Sequence, residues 1–191
     1  MGHFPNNYGT AFNSSCAVFL FEREKLVMKK VIVIGCPGSG KSTFARQLHR
    51  LTKLPLCHLD LLYWNADRTT VEKSVFMERL QAVMAEDAWI IDGNYASTME
   101  LRLDASDTVF FLDYPLDICL EGLKSRKGKS RADMPWIEQE DDEEFIDFVR
   151  RYPSESRPEV LVLLAKYTDK QVFVFSSREA ADSFLKKIAE K

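Results

Sequence analysis

Val31-Ile32-Val33-Ile34-Gly35-Cys36-Pro37-Gly38-Ser39-Gly40-Lys41-Ser42-Thr43 runs four β-branched residues straight into the pattern GxxxxGKS, and a helix-patterned segment follows. This strand, glycine-rich turn and helix make a phosphate-binding P-loop. The glycines let the chain bend until backbone N–H groups point inward around a polyphosphate, and the helix beginning near Gly40 adds its positive dipole end. Lys41 reaches the β- and γ-phosphates, and Ser42 offers its hydroxyl to Mg²⁺. Gly35, Cys36, Pro37, Gly38, Ser39, Gly40, Lys41, Ser42 and Thr43 are therefore the candidate nucleotide-binding residues. The alternative is a glycine turn with no ligand.

Working outward, helical spacing continues through Phe44, Ala45, Leu48 and Leu51, and Pro55 marks the break before a second strand, Leu56 to Asp60. Thr69 and Glu72 fit a capping box ahead of a helix whose apolar stripe is Val71, Val75, Phe76, Leu80, Val83 and Met84. Ala88 to Asp92 reads as a third strand and Thr108 to Asp113 as a fourth, after which Pro115 opens a helix carrying Leu116, Cys119, Leu120 and Leu123. A charged stretch gives way to helices marked by Phe145, Phe148, Val149 and Tyr152, then by Val160, Leu161 and Leu164. Gln171 to Phe175 is a fifth strand before a last helix. Strands alternating with helices make an α/β fold of three layers, a parallel sheet with helices on both faces, and ligands bind beyond the C-terminal strand ends. Gly35, Asp60, Asp92 and Asp113 all fall at such ends.

The chain has 191 residues, of which 46% are hydrophobic, enough for one well-buried core and too few for two independent domains. A net charge of −3 argues against a protein that binds nucleic acid directly, since that binding needs accumulated Lys and Arg. Four scattered cysteines, Cys16, Cys36, Cys57 and Cys119, lack zinc-like spacing and read as free thiols in a reducing compartment. Cys36 is either oxidation-sensitive or a small residue that fits the loop. No apolar run approaches the ~18 residues of a membrane span. Residues 1–27 read as a disordered extension, or as sequence upstream of a start at Met28; residues 28–191 form the P-loop domain.

Asp92, ending Trp89-Ile-Ile-Asp, stands where a carboxylate would hold the magnesium, so Ser42 and Asp92 are the candidate metal residues. Gly93 follows it rather than an acidic residue, which tilts the chemistry from hydrolysis toward transfer to a bound acceptor. Asp60, in His58-Leu-Asp-Leu-Leu-Tyr-Trp64, could accept the proton of an attacking hydroxyl, or simply cap the next segment. His58 reads as a packed histidine. Lys124, Arg126, Lys127, Lys129 and Arg131 form a basic run in a lid-like segment around 124–138, where cations would neutralise a transferring phosphoryl group; the alternative is a solvated loop. Arg126 and Arg131 lead, because guanidinium grips phosphate in a fork, and Arg150 and Arg151 follow. Glu138 to Glu144 is an acidic run that compensates a helix start.

Taken as a set, GCPGSGKST at 35–43, HLDLLYW at 58–64, WIIDGNY at 89–95, the ELRL segment containing Arg102, VFFLDYP at 109–115, the Ser-Arg-Ala-Asp-Met stretch at Arg131 and SRPEVL at 156–161 give a resemblance. The chain resembles the P-loop family of DNA topology modulation proteins, small relatives of adenylate kinase. The resemblance implies a nucleotide-kinase-like sheet of order 2-3-1-4-5, binding of ATP and Mg²⁺, a cytoplasmic location and, by the family's name, an effect on DNA topology. Adenylate kinases carry Asp-Gly-aromatic-Pro-Arg where this chain has Asp92-Gly93-Asn94-Tyr95-Ala96, which puts AMP as acceptor in doubt. Arg102 is then the candidate to supply the missing cation, with Asn94 and Tyr95 facing a different acceptor. Asp60-Leu-Leu-Tyr63 is similar to the segment of uridine kinases in which the Asp is the base. The expected activity is ATP-dependent transfer to a small-molecule or nucleotide acceptor, with Lys41, Asp60, Arg126 and Arg131 catalytic and Asp60, Trp64, Asn94, Tyr95 and Arg102 on the acceptor side. The rival is a nucleotide-dependent regulatory protein acting on DNA topology or a protein partner. No Asn-Lys-x-Asp segment of the GTPase type is present, which favours adenine.

Overall fold

The five strands of the computed structural model, which describes residues 27–139 and 142–190, are β1 (Lys30–Gly35), β2 (Leu56–His58), β3 (Trp89–Asp92), β4 (Thr108–Leu112) and β5 (Gln171–Phe175). All pair in parallel, in the order β2-β3-β1-β4-β5. The expectations for residues 1–26 and for Glu140 and Asp141 lie outside the described residues. Val31, Ile32, Val33 and Ile34 are all fully buried, as a central parallel strand covered on both faces requires.

Alternation sorts these side chains. Val31 and Val33 join Ile90, Phe110 and Leu112 under α1 (Lys41–Thr52) on one face, while Ile32 and Ile34 join Ile91, Val109 and Phe111 on the other. The second face is closed by α2 (Leu59–Tyr63), α3 (Lys73–Ala85), α4 (Met99–Ala105) and α7 (Ser156–Leu164), through Leu59, Phe76, Leu80, Leu103 and Leu164. α5 (Leu116–Arg126), α6 (Glu143–Arg151) and α8 (Arg178–Ala189) pack with α1, contributing Cys119, Val149 and Phe184. Among the described residues no helix is long and apolar enough to cross a membrane.

Two local expectations fail for identifiable reasons. The second strand stops at His58, because its partner β3 ends at the His58–Asp92 register and turns away through Gly93, whose φ is +137°. Left without a strand to pair with, the chain coils into α2, and Asp60 sits in that helix's first turn. The Thr69–Glu72 capping box does not form either. Thr69 donates both its N–H (3.0 Å) and its hydroxyl (2.6 Å) to Asp67 Oδ1, and Glu72 precedes α3 with no side-chain cap bond. Val71 donates its N–H to the Tyr63 carbonyl (2.9 Å), so this stretch is held extended and the helix begins at Lys73. At α6 the acidic run does what its charge suggests: Asp142 caps the helix through Phe145 N–H at 2.9 Å, with Glu143 and Glu144 in the first turn.

Candidate active site

Parallel register brings the ends of β1, β2 and β3 to one edge of the sheet, and a broad cleft opens there. The P-loop forms its floor. Gly40 caps α1 with φ +93°, a left-handed turn that favours glycine, and the first-turn N–H groups of α1 have no carbonyl within their own helix to bond. Pro37, Gly38, Ser39, Gly40, Lys41, Ser42 and Thr43 line the cleft. Gly35 and Cys36, expected beside them, lie beneath the loop instead, where Cys36 is buried and Gly35 donates its N–H to Asn94 Oδ1 at 2.9 Å. Gly38 is pressed onto α5 so closely that a Cβ there would stand 2.0 Å from the Cys119 carbonyl oxygen.

Lys41 Nζ donates to the Cys36 carbonyl at 3.1 Å. Burial pulls its pKa below the ordinary lysine value, opposed by the carboxylates of Asp92 and Asp60. Asp92 is buried, and its Oδ2 accepts from His58 Nδ1 at 2.8 Å, which assigns the proton to that ring nitrogen. Its Oδ1 is buried without a hydrogen-bond partner among the described residues. A buried carboxylate oxygen left this way, in one cleft with the Ser42 hydroxyl, is a fit for a hard divalent cation, which takes oxygen ligands. His58 is packed, as expected, and its ring holds the Asp92 carboxylate.

Where the acceptor side is expected, Asp60 Oδ1 accepts from the Tyr95 hydroxyl at 2.8 Å. Burial lifts the Asp60 carboxyl above the ordinary carboxylate value, the Tyr95 hydrogen bond works against that rise, and Asp92 adds to it. Tyr63 meets Trp64 edge-on at 5.2 Å, Trp64 meets Trp136 at 5.0 Å, and Tyr95 lies 5.1 Å from Tyr63 and 5.3 Å from Phe76. All five rings line the cleft.

Arg102, expected on the acceptor side, does not line the cleft. It is fully buried, and its guanidinium donates to the carbonyls of Gly93 (2.8 Å), Asn94, Tyr95 (3.2 Å) and Thr98 (3.2 Å). Those carbonyls converge because the chain leaves β3 through two positive-φ residues, Gly93 and Tyr95. Burial lowers the Arg102 pKa to about 10, and Asp92 counters part of the fall. The side chain braces the Asp92–Tyr95 segment from behind. Asn94 spends its side-chain oxygen on Gly35 but, like Tyr95 and Trp64, lines the cleft.

Residues of the 124–138 segment, expected to form a lid, converge as well. Arg126 pairs with Glu138, Nε lying 2.8 Å from Oε2 in poor alignment and Nη2 donating to Oε1 at 3.1 Å; its guanidinium sits 5.8 Å from the Phe145 ring centre. Arg131 reaches Glu138 at 3.5 Å and Asp133 at 3.7 Å. Asp133, which pattern reading passed over, is buried and accepts from Arg46 at 3.0 Å. Burial works to raise its pKa, but Arg131, the Ser42 hydroxyl and Arg46 together hold it below the ordinary carboxylate value. Only its place in the Ser-Arg-Ala-Asp-Met stretch could have singled it out. Thr43 turns its hydroxyl to Arg46 at 3.2 Å. Outside the cleft floor, Asp113 is gripped by Arg157 through two bonds of 2.7 Å, which joins the VFFLDYP and SRPEVL segments.

No protein-family model matches the chain. A shikimate kinase from Flavobacterium johnsoniae is 26% identical over 144 residues, covering 65% of this chain and 80% of the relative. The crystal structure of the shikimate kinase from Bacteroides thetaiotaomicron superposes with a TM-score of 0.55 at 19% identity, covering 86% of this chain and 98% of that one. The fold is that of a P-loop α/β kinase, with the strand order expected. Taken with the P-loop, these likenesses to shikimate kinases support a kinase-like phosphotransferase; they do not show the DNA-topology family.

Proposed function

We propose that the protein transfers the γ-phosphoryl group of ATP, with Mg²⁺, to a hydroxyl of a small-molecule or nucleotide acceptor. The observation that carries this is the convergence in one cleft of Lys41, Ser42, the unpaired buried Oδ1 of Asp92, and Asp60. The P-loop amides and Lys41 hold the phosphates, and Ser42 with Asp92 would hold the cation, which would neutralise phosphate charge there. Asp60 receives the acceptor's proton as its oxygen forms the new bond to phosphorus. Arg126 and Arg131, on the segment 124–138 read as a lid, exchange Glu138 and Asp133 for phosphoryl oxygens and exclude water as the lid closes. The buried thiols Cys36 and Cys119 and the half-buried Cys57 support a reducing, cytoplasmic setting.

The test is transfer of labelled γ-phosphate from Mg·ATP across a panel of small hydroxylated metabolites, nucleosides and nucleoside monophosphates, with Lys41→Ala as control. A Lys41-dependent phosphorylated product establishes the activity. Tight ATP binding with no acceptor phosphorylated would favour the rival, a nucleotide-operated regulator of DNA topology or of a protein partner.

A further inference from the structure

Beside Asp60 the cleft wall is made of rings rather than charges. Tyr63, Trp64, Phe76, Tyr95 and Trp136 are linked ring to ring at 5.0–5.4 Å, and all but Phe76 remain partly exposed. Exposed aromatic faces gathered in a cleft are costly in water and suited to a flat ligand ring. Trp136 comes from the 124–138 segment and Trp64 from the end of α2, so the two indoles meet across the acceptor side and the lid.

The charges point the same way. Arg102, in the helix that follows Tyr95, is sealed behind this wall on four carbonyls. Arg126 and Arg131 sit with Glu138 and Asp133 on the lid, where the donor's phosphates require them. Arg68 and Lys73 line the cleft as exposed groups at its rim. Next to the reacting position two carboxylates, Asp60 and Asp92, line the same cleft. With Lys41 and Arg126, the cations that act on Asp60, committed to the donor's phosphates, an acceptor anion placed there meets like charge. Asp60 spends Oδ1 on Tyr95, which leaves Oδ2 for an incoming hydroxyl.

We infer that the acceptor is an uncharged, ring-bearing alcohol of the nucleoside kind, its planar ring stacked on the Trp64–Trp136 wall and its hydroxyl donated to Asp60. This rests on the phosphotransfer reading above. The acceptor oxygen bonds to the γ-phosphorus, the bond from that phosphorus to the β,γ-bridging oxygen breaks with its electrons leaving on ADP, and the hydroxyl proton passes to Asp60.

The experiment uses the full chain with Mg·ATP and compares kcat/KM for nucleosides, their 5′-monophosphates and a polyhydroxylated ring carboxylate. Nucleosides should be preferred over both anionic classes. Trp64→Ala should raise the nucleoside KM roughly tenfold or more, the loss of one stacking platform, while Trp64→Phe, which keeps a ring and guards against misfolding, should recover most of it. Preference for a monophosphate or the carboxylate would overturn the inference and leave the kinase reading standing, as would a nucleoside KM unmoved in Trp64→Ala. Phosphorylation of no acceptor in any class, with ATP bound, would overturn the kinase reading itself.

Discussion

The backbone N–H of Gly35 donates to the side-chain oxygen of Asn94 at 2.9 Å, tying the first residue of the P-loop to the segment that follows the Asp92 carboxylate. These two pieces of chain are 59 residues apart in sequence, and neighbouring strands β1 and β3 bring them together. Asn94→Ala leaves the Gly35 N–H unpaired in a partly buried place. A loss of about 1–3 kcal/mol is expected, seen as a lower urea midpoint at unchanged slope.

Arg102 holds four carbonyls of the Gly93–Thr98 segment and does not itself line the cleft. Arg102→Met should cost on the order of 3 kcal/mol, since carbonyls buried with the guanidinium lose their donors together. Arg102→Lys should recover only part of that, because an ammonium cannot reproduce the planar fork. Urea unfolding of the three proteins checks the order.

Most of this arrangement was legible in advance because it is periodic or local. The β-branched run before the P-loop, the apolar stripes of α3 and α8, and the clustering of Gly35 and Asp92 at one sheet edge follow from spacing alone. What escaped depends on partners far along the chain. Arg102 looks like a free cation in a helical segment until the left-handed turns at Gly93 and Tyr95 aim carbonyls at it. Asp133 lies in a loop without periodicity, and its importance comes from Arg46, 87 residues away. Asp60 looked like a strand end because the alternation of β2 continues past His58, whereas its pairing does not.

The raised pKa of Asp60 gives the activity a sign with pH. A base must be ionised, so kcat/KM should fall as pH drops through that raised value, at a pH above the ordinary carboxylate range. Tyr95→Phe removes the hydrogen bond that opposes the rise and should move this acid limb to still higher pH. Asp60→Asn should abolish transfer. For stability the sign is opposite: a carboxyl whose folded pKa is raised stabilises the fold below its unfolded pKa and loses that contribution as pH climbs through the folded one. The Asp60→Asn protein should therefore be at least as stable as the parent at pH 7, which a thermal melt reads directly.

Gly122, inside α5, faces the P-loop so closely that a Cβ there would come within 2.0 Å of the Gly38 carbonyl oxygen. Alanine would ordinarily favour a helix by up to about 1 kcal/mol over glycine. Here the backbone clash should dominate. Gly122→Ala is expected to lose roughly 1–3 kcal/mol and to weaken nucleotide binding, because Gly38 must move to make room. Calorimetric titration with ATP and a melting curve, taken together, report both effects.

The edge-to-face indoles of Trp64 and Trp136 also make the protein its own optical instrument. Their contact spans the boundary between the acceptor wall and segment 124–138, while Trp89, the third tryptophan of the chain, is buried at the start of β3. Two chromophores 5.0 Å apart couple strongly, so any swing of that segment rewrites the near-ultraviolet circular dichroism and the emission of one pair against a constant background from Trp89. The sequence of events in a turnover can thus be timed by stopped-flow light alone, with no label attached.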